Sequence, residues 1–148
     1  MRDDEAQALT VVLLRAANAL IDGIHAGVVA RGFDDSRPAH GFAFTRLAPD
    51  GATISDLAAH LNVTRQAASQ LVDELAAKGY VERRTHPVDG RARLVVLTER
   101  GWACTRAAEQ AAAEQARTWA GVLGEDRLRV LIADLARLAP PGRLRPVW

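Results

Sequence analysis

Apolar positions recur at helical spacing through residues 9–30, where Leu9, Leu13, Ala16, Leu20 and Ile24 form one stripe and Val12, Leu14, Ile21 and Val28 widen it. Such a helix needs cover on more than one side. Residues 31–41 hold two glycines, a proline and several turn formers and read as a loop; a short helix is expected over 42–47 and a turn at Pro49, Asp50 and Gly51. Thr53, followed three residues later by Asp56, marks a helix start, and Ile54, Leu57, Ala58 and Leu61 give that helix an apolar face. Asn62 tolerates a left-handed backbone, which allows a tight turn before Thr64 caps a second helix carrying Ala68, Leu71, Val72 and Leu75. Lys78, Gly79 and Tyr80 supply the cation, the glycine and the apolar residue that end it.

The period then falls to two. Residues 80–84 and 91–97 are strand candidates, and His86, Pro87, Val88, Asp89 and Gly90 between them make a hairpin. Thr98 opens an alanine-dominated helix expected to run to about residue 120, anchored by Trp102 and Trp119 and interrupted at Gly121 and Gly124. Leu128, Leu131, Ile132, Leu135 and Leu138 define a last amphipathic helix before Pro140 and Pro141, and residues 142–148 form a tail. The fold class expected is mainly α with a small β-hairpin wing.

Composition narrows this further. The 148 residues suit one domain, and 29 alanines with only seven aromatics favour helix. A net charge of +1 makes any nucleic-acid contact a matter of local charge. One cysteine excludes an internal disulfide, and Cys104 reads as a buried small hydrophobe. The acidic start of the chain and the lack of an apolar run approaching 18 residues suggest a cytoplasmic chain that does not span a membrane. His25, His40, His60 and His86 are scattered, so no metal site and no cofactor are expected; no nucleophile or phosphate-loop motif suggests an enzyme.

Two capped helices joined by a tight turn and followed by a hairpin make a helix-turn-helix with a wing. The second helix of that motif lies in the DNA major groove, and here it presents Thr64, Arg65, Gln66, Ser69, Gln70 and Asp73. Arg pairs with guanine and Gln with adenine, while hydroxyls hold phosphate. Between Glu82 and Arg93 four arginines, Arg83, Arg84, Arg91 and Arg93, face two acids, and an arginine at the wing tip suits the narrow minor groove. Asp89 stands two residues before Arg91, where a bidentate pair would orient it. Any exposed helix face is polar, however, and an edge strand needs charge for solubility alone.

Residues 53–84 and 87–101 resemble the MarR family of winged-helix transcription regulators, whose wing motif of Asp-x-Arg, an apolar strand and Leu-Thr-x-x-Gly is met by Asp89, Arg91, Leu97, Thr98 and Gly101. The resemblance implies one domain over 1–148: dimerisation helices at 9–30 and 98–139, a DNA-binding lobe at 42–97 and a tail at 140–148. It implies a homodimeric regulator, a repressor of palindromic operators, with DNA contacts from Thr53, Ser55, Thr64, Arg65, Gln66, Ser69, Gln70, Arg84, Asp89, Arg91 and Arg93. It also implies release by a small aromatic or phenolic effector, with His25, His40, Phe42, Phe44 and Trp102 lining the cleft. His40, beside Gly41, is expected in an exposed turn. A winged helix used for protein contact is the alternative, since a fold does not dictate its partner.

Overall fold

The computed structural model describes residues 2–139 and Gly142, so the expected tail, apart from Gly142, lies outside the described residues. Six helices and two strands follow in the order α1 (Asp3–Ala30), α2 (Pro38–Leu47), α3 (Ile54–Leu61), α4 (Arg65–Ala77), β1 (Val81–Thr85), β2 (Arg93–Leu97), α5 (Glu99–Leu123) and α6 (Glu125–Leu138). This is a mainly α winged helix.

The local chemistry of the helix-turn-helix is as the sequence indicates. The Thr53 hydroxyl accepts the Asp56 N–H at 3.1 Å, the Thr64 hydroxyl accepts the Ala67 N–H at 3.1 Å, and Asn62 takes φ 57°. After α4 the Tyr80 N–H reaches Leu75 O at 2.9 Å and the Gly79 N–H reaches Ala76 O at 3.0 Å, with Gly79 at φ 78°. That pair of bonds closes the helix end and turns Tyr80 into the core. Tyr80 packs there with Leu47, Leu57, Leu61, Val72, Leu75 and Val95, all fully buried. The antiparallel strands pair Val81 with Leu97 and Arg83 with Val95, and Ala52 bridges to Val95 from the other side.

Several boundaries differ from expectation, among them the start of α1, at Asp3 rather than Leu9. Helix α2 begins at Pro38 rather than Phe42, because a proline lacks the N–H that a first helical residue leaves unused, and extended Arg37 precedes it as N-cap. The loop therefore spans only 31–37. Helix α5 passes through Gly121 and stops at Gly124, whose φ of 85° ends it. Strand β2 starts at Arg93, which leaves Arg91 in the loop at the wing tip.

Outside the lobe, α1 runs along α5. A Cβ on Gly27 would fall 2.6 Å from that of Ala111, and Arg31 pairs with Glu114 at 2.6 Å, so the two helices meet closely. Elsewhere α1 leaves Leu9, Val12, Leu13 and Leu14 exposed, and no residue of α6 is buried. Contrary to the expectation drawn from unbroken apolar runs, the stretch Asp4–Ala30 is long and apolar enough to cross a membrane by length and composition. Its alanines and leucines outweigh the interspersed Arg15, Asn18 and Asp22.

Loop 31–37 is fastened to the lobe. Arg100 of α5 lies over the rings of Tyr80 and Phe33, with 4.7 and 5.6 Å to the centroids, and donates to Asp35 at 3.1 Å. The Tyr80 hydroxyl donates to the same carboxylate, which lowers the Asp35 pKa. Cys104 is buried as expected, and burial pushes its thiol up to about 11, so it is no thiolate at neutral pH.

Candidate nucleic-acid interface

The exposed start of α4 carries Thr64, Arg65, Gln66 and Gln70, with Ser69 half-buried beside them. Thr64 holds the helix open at its first turn, which directs the Arg65 and Gln66 side chains outward from a rigid end. Thr53 plays the same capping role for α3, and Ser55 stands exposed in the first turn of that helix. Asp73, further along α4, accepts from Arg83 of β1 at 2.6 Å. This pair ties the base of the wing to the recognition helix and neutralises a carboxylate that would oppose a polyanion.

The wing tip has an order the sequence did not reveal. His86 Nδ1 accepts the N–H groups of Val88 and Asp89 at 3.2 and 3.1 Å, and the His86 N–H donates to Ala92 O at 3.1 Å. The imidazole is thus the organiser of the turn, and its signal was only a histidine four residues ahead of an Asp-Gly turn's end. Asp89 does not grip the Arg91 guanidinium as expected. Its Oδ1 accepts the Arg91 backbone N–H at 3.1 Å, because a carboxylate two residues back reaches the main chain more readily than the side-chain end. The aspartate shapes the tip and the arginine is left free.

Charge is distributed unevenly over the candidate residues. Arg84 pairs with Glu82 across the exposed face of β1, and Arg83 is taken by Asp73. Arg65, Arg91 and Arg93 are exposed and have no ion-pair partner among the described residues. Three unneutralised guanidiniums therefore sit at the two places, helix start and wing, from which a winged helix reaches nucleic acid.

A separate cavity of about 340 Å³ opens between α1, α2 and α5. Of the five residues expected to share one cleft, His25, His40, Phe42 and Phe44 line this cavity and Trp102 does not; it borders a different crevice with Pro87 and Leu94 under the wing. Trp102 follows Gly101 on the side of α5 that faces the hairpin, and residue type alone could not tell one side from the other. His40 is also not in an exposed turn. Because α2 starts at Pro38, His40 falls in its first turn with its side chain buried, Nδ1 accepting the Arg37 N–H at 3.1 Å and Nε2 lying 3.3 Å from Glu74 Oε1. Burial holds its pKa below the ordinary value of 6.5, against the pull of Glu74.

Residues 42–92 match the MarR family, which places the helix-turn-helix and the strand β1 within its pattern. The similarity to the MarR family thus lies on the winged helix itself. Two sequence relatives, an uncharacterized HTH-type transcriptional regulator of Mycobacterium bovis and an HTH-type transcriptional regulator of Mycobacterium tuberculosis, are each 38% identical over 73 residues. That stretch is 49% of this chain and 51% of theirs, so the chain spans about half the length of the curated relatives it matches. Solved structures share the MarR-type fold over most of the chain. The transcriptional repressor CouR bound to a 23-mer DNA duplex has a TM-score of 0.73 at 24% identity, covering 93% of this chain and 96% of that one. MarR of E. coli in its apo form gives 0.72 at 22% identity, covering 89% and 96%. RV1404 of Mycobacterium tuberculosis gives 0.74 at 20%, covering 96% and 100%.

Proposed function

We propose that this chain is a cytoplasmic transcription regulator, a repressor that binds inverted-repeat DNA as a homodimer and is released by a small aromatic or phenolic effector; it is not an enzyme. The observation that carries the reading is the set of exposed, unpaired guanidiniums of Arg65, Arg91 and Arg93 at the recognition-helix start and the wing. A solved relative of the same fold holds a DNA duplex, and the sequence relatives bear regulator names. Thr53, Ser55, Thr64, Ser69 and Arg84 serve as phosphate contacts in this reading, and Gln66, Gln70 and Arg65 as readers of base edges.

The dimer rests on the apolar surface that α1 and α6 leave uncovered. A helix with no buried residue and a periodic apolar stripe needs a partner, and a second copy supplies the same stripe in return. The effector rests on the apolar cavity between the dimerisation helices and α2, with His25, His40, Phe42 and Phe44 on its wall.

Salt dependence distinguishes DNA from a protein partner. Binding to a DNA duplex is expected to fall by orders of magnitude between about 50 and 200 mM salt as several phosphates are neutralised. Affinity for duplex that is weak at all salt concentrations would turn the reading toward protein contact.

A further inference from the structure

Strand β1 ends at Thr85 and β2 begins at Arg93, so residues 86–92 form the tip of the wing. Every residue from Pro87 to Arg91 is exposed, Val88 by 90%, and the shape of the tip therefore rests on hydrogen bonds rather than on a core. The Val88 and Asp89 N–H groups both donate to Nδ1 of half-buried His86, at 3.2 and 3.1 Å. Asp89 then accepts twice, its Oδ1 from the Arg91 N–H at 3.1 Å and its carbonyl from the Ala92 N–H at 3.0 Å. A continuous path of bonds runs from the imidazole through Asp89 to the main chain of Arg91.

A ring nitrogen that accepts two N–H groups carries no proton, so His86 is the neutral tautomer with its hydrogen on Nε2. With a proton on Nδ1, three N–H groups would face one another and the turn would have to open. Histidine is the side-chain type that changes charge between pH 5 and 8, which sets it apart from every other acceptor in the tip. The charged groups of the surrounding elements are engaged elsewhere or stand apart. Glu82 and Arg84 of β1 pair with each other, and Arg83 is held by Asp73 of α4. Arg93 of β2 lies opposite Thr85, and Asp50, from the turn after α2, lines the crevice under the wing with Arg84 and Pro87. Among the described residues no charged side chain, those of Asp89 and Arg91 included, hydrogen-bonds the imidazole.

Resting on the DNA-binding reading above, we propose that His86 is a positioning residue for the wing: its neutral imidazole holds the tip in the shape that presents Arg91 to the minor groove, and a proton on Nδ1 withdraws that arginine. DNA affinity then falls on acidification. Charge alone would act the other way, since a cation added beside DNA strengthens binding.

The test uses a labelled duplex enriched from a random pool, bound at pH 7.5 and pH 5.5 by the full chain, by His86→Asn and by His86→Ala, with melting temperatures recorded. Asn at this position keeps an oxygen that accepts from the amides two and three residues on, and it does not titrate. The unaltered chain is expected to lose affinity on the order of tenfold at pH 5.5, His86→Asn to bind as the unaltered chain does at pH 7.5 and to lose no more than about twofold in acid, and His86→Ala to be weak at both pH values. His86→Asn retains His25, His40 and His60, so any loss it shows measures them. In an Arg91→Ala background His86→Ala is expected to cost less than about twofold more, because the residue it positions is gone. An unaltered chain whose affinity holds or rises in acid overturns the proposal, as does a His86→Asn chain that falls as steeply, or a His86→Ala loss that persists in full without Arg91. Should the chain unfold at pH 5.5, the comparison of His86→Asn with His86→Ala at pH 7.5 decides: equal affinities overturn the proposal. Duplex binding at pH 7.5 that ignores His86→Ala leaves the regulator reading standing and removes only the role of His86, whereas no duplex binding by the unaltered chain removes the DNA reading itself.

Discussion

At the wing tip Asp89 spends its carboxylate on the main chain, and the Arg91 guanidinium has no partner among the described residues that DNA binding would displace. Arg91→Ala is therefore expected to weaken duplex binding and to reduce the salt slope by about one, with an unchanged melting temperature. Gln66→Ala is expected to relax preference at one or two positions of each half-site by about 1–3 kcal/mol, whereas a uniform loss over all sequences would mark Gln66 as a phosphate contact. His40 belongs to stability rather than to DNA. Burial lowers its pKa below 6.5 despite Glu74, with Arg37 and Lys78 adding to the effect. As pH falls below about 6.5 the unfolded chain binds a proton that the folded chain resists, so stability present above that pH is lost on acidification. Glu74, whose own pKa is lowered from 4.5, titrates in a separate, more acidic window. Melting temperatures between pH 7 and pH 5 should thus drop less in His40→Gln than in the unaltered chain.

Among the elements, the joint between β2 and α5 is the least tolerant. A Cβ on Gly101 would lie 2.2 Å from Tyr80 O, a backbone atom, so α5 must shift to admit it. Gly101→Ala is expected to cost about 1–3 kcal/mol in chemical denaturation. Much of this level was readable in advance: Thr53, Thr64 and Thr98 cap the helices they precede, and Gly79 ends α4, because each acts through bonds to its near neighbours. What could not be read depends on residues distant in sequence. Nothing near His40 announces that it faces Glu74, 34 positions away, or that Trp102 points under the wing rather than into the cavity. Pro38 misled for another reason, since a proline that opens a helix and one that sits in a loop share the same local residues.

For the whole molecule, the chain leaves uncovered what a pair of chains would bury. Leu9, Val12, Leu13 and Leu14 of α1 and Val130, Ile132 and Leu138 of α6 are all exposed. Ile132→Glu is expected to weaken self-association by about 2 kcal/mol or more, since it would bury an unpaired carboxylate, and sedimentation equilibrium measures the shift toward monomer. DNA affinity should fall with it, as two recognition helices act together only when held by one dimer. The most direct measurement is selection of duplexes from a random pool by the purified protein, with the enriched sites re-bound at increasing salt. An inverted repeat with half-sites about one helical turn apart, bound by two chains and released steeply by salt, is the expected result. Repeated rounds that enrich no sequence, with weak binding to every duplex, would contradict it.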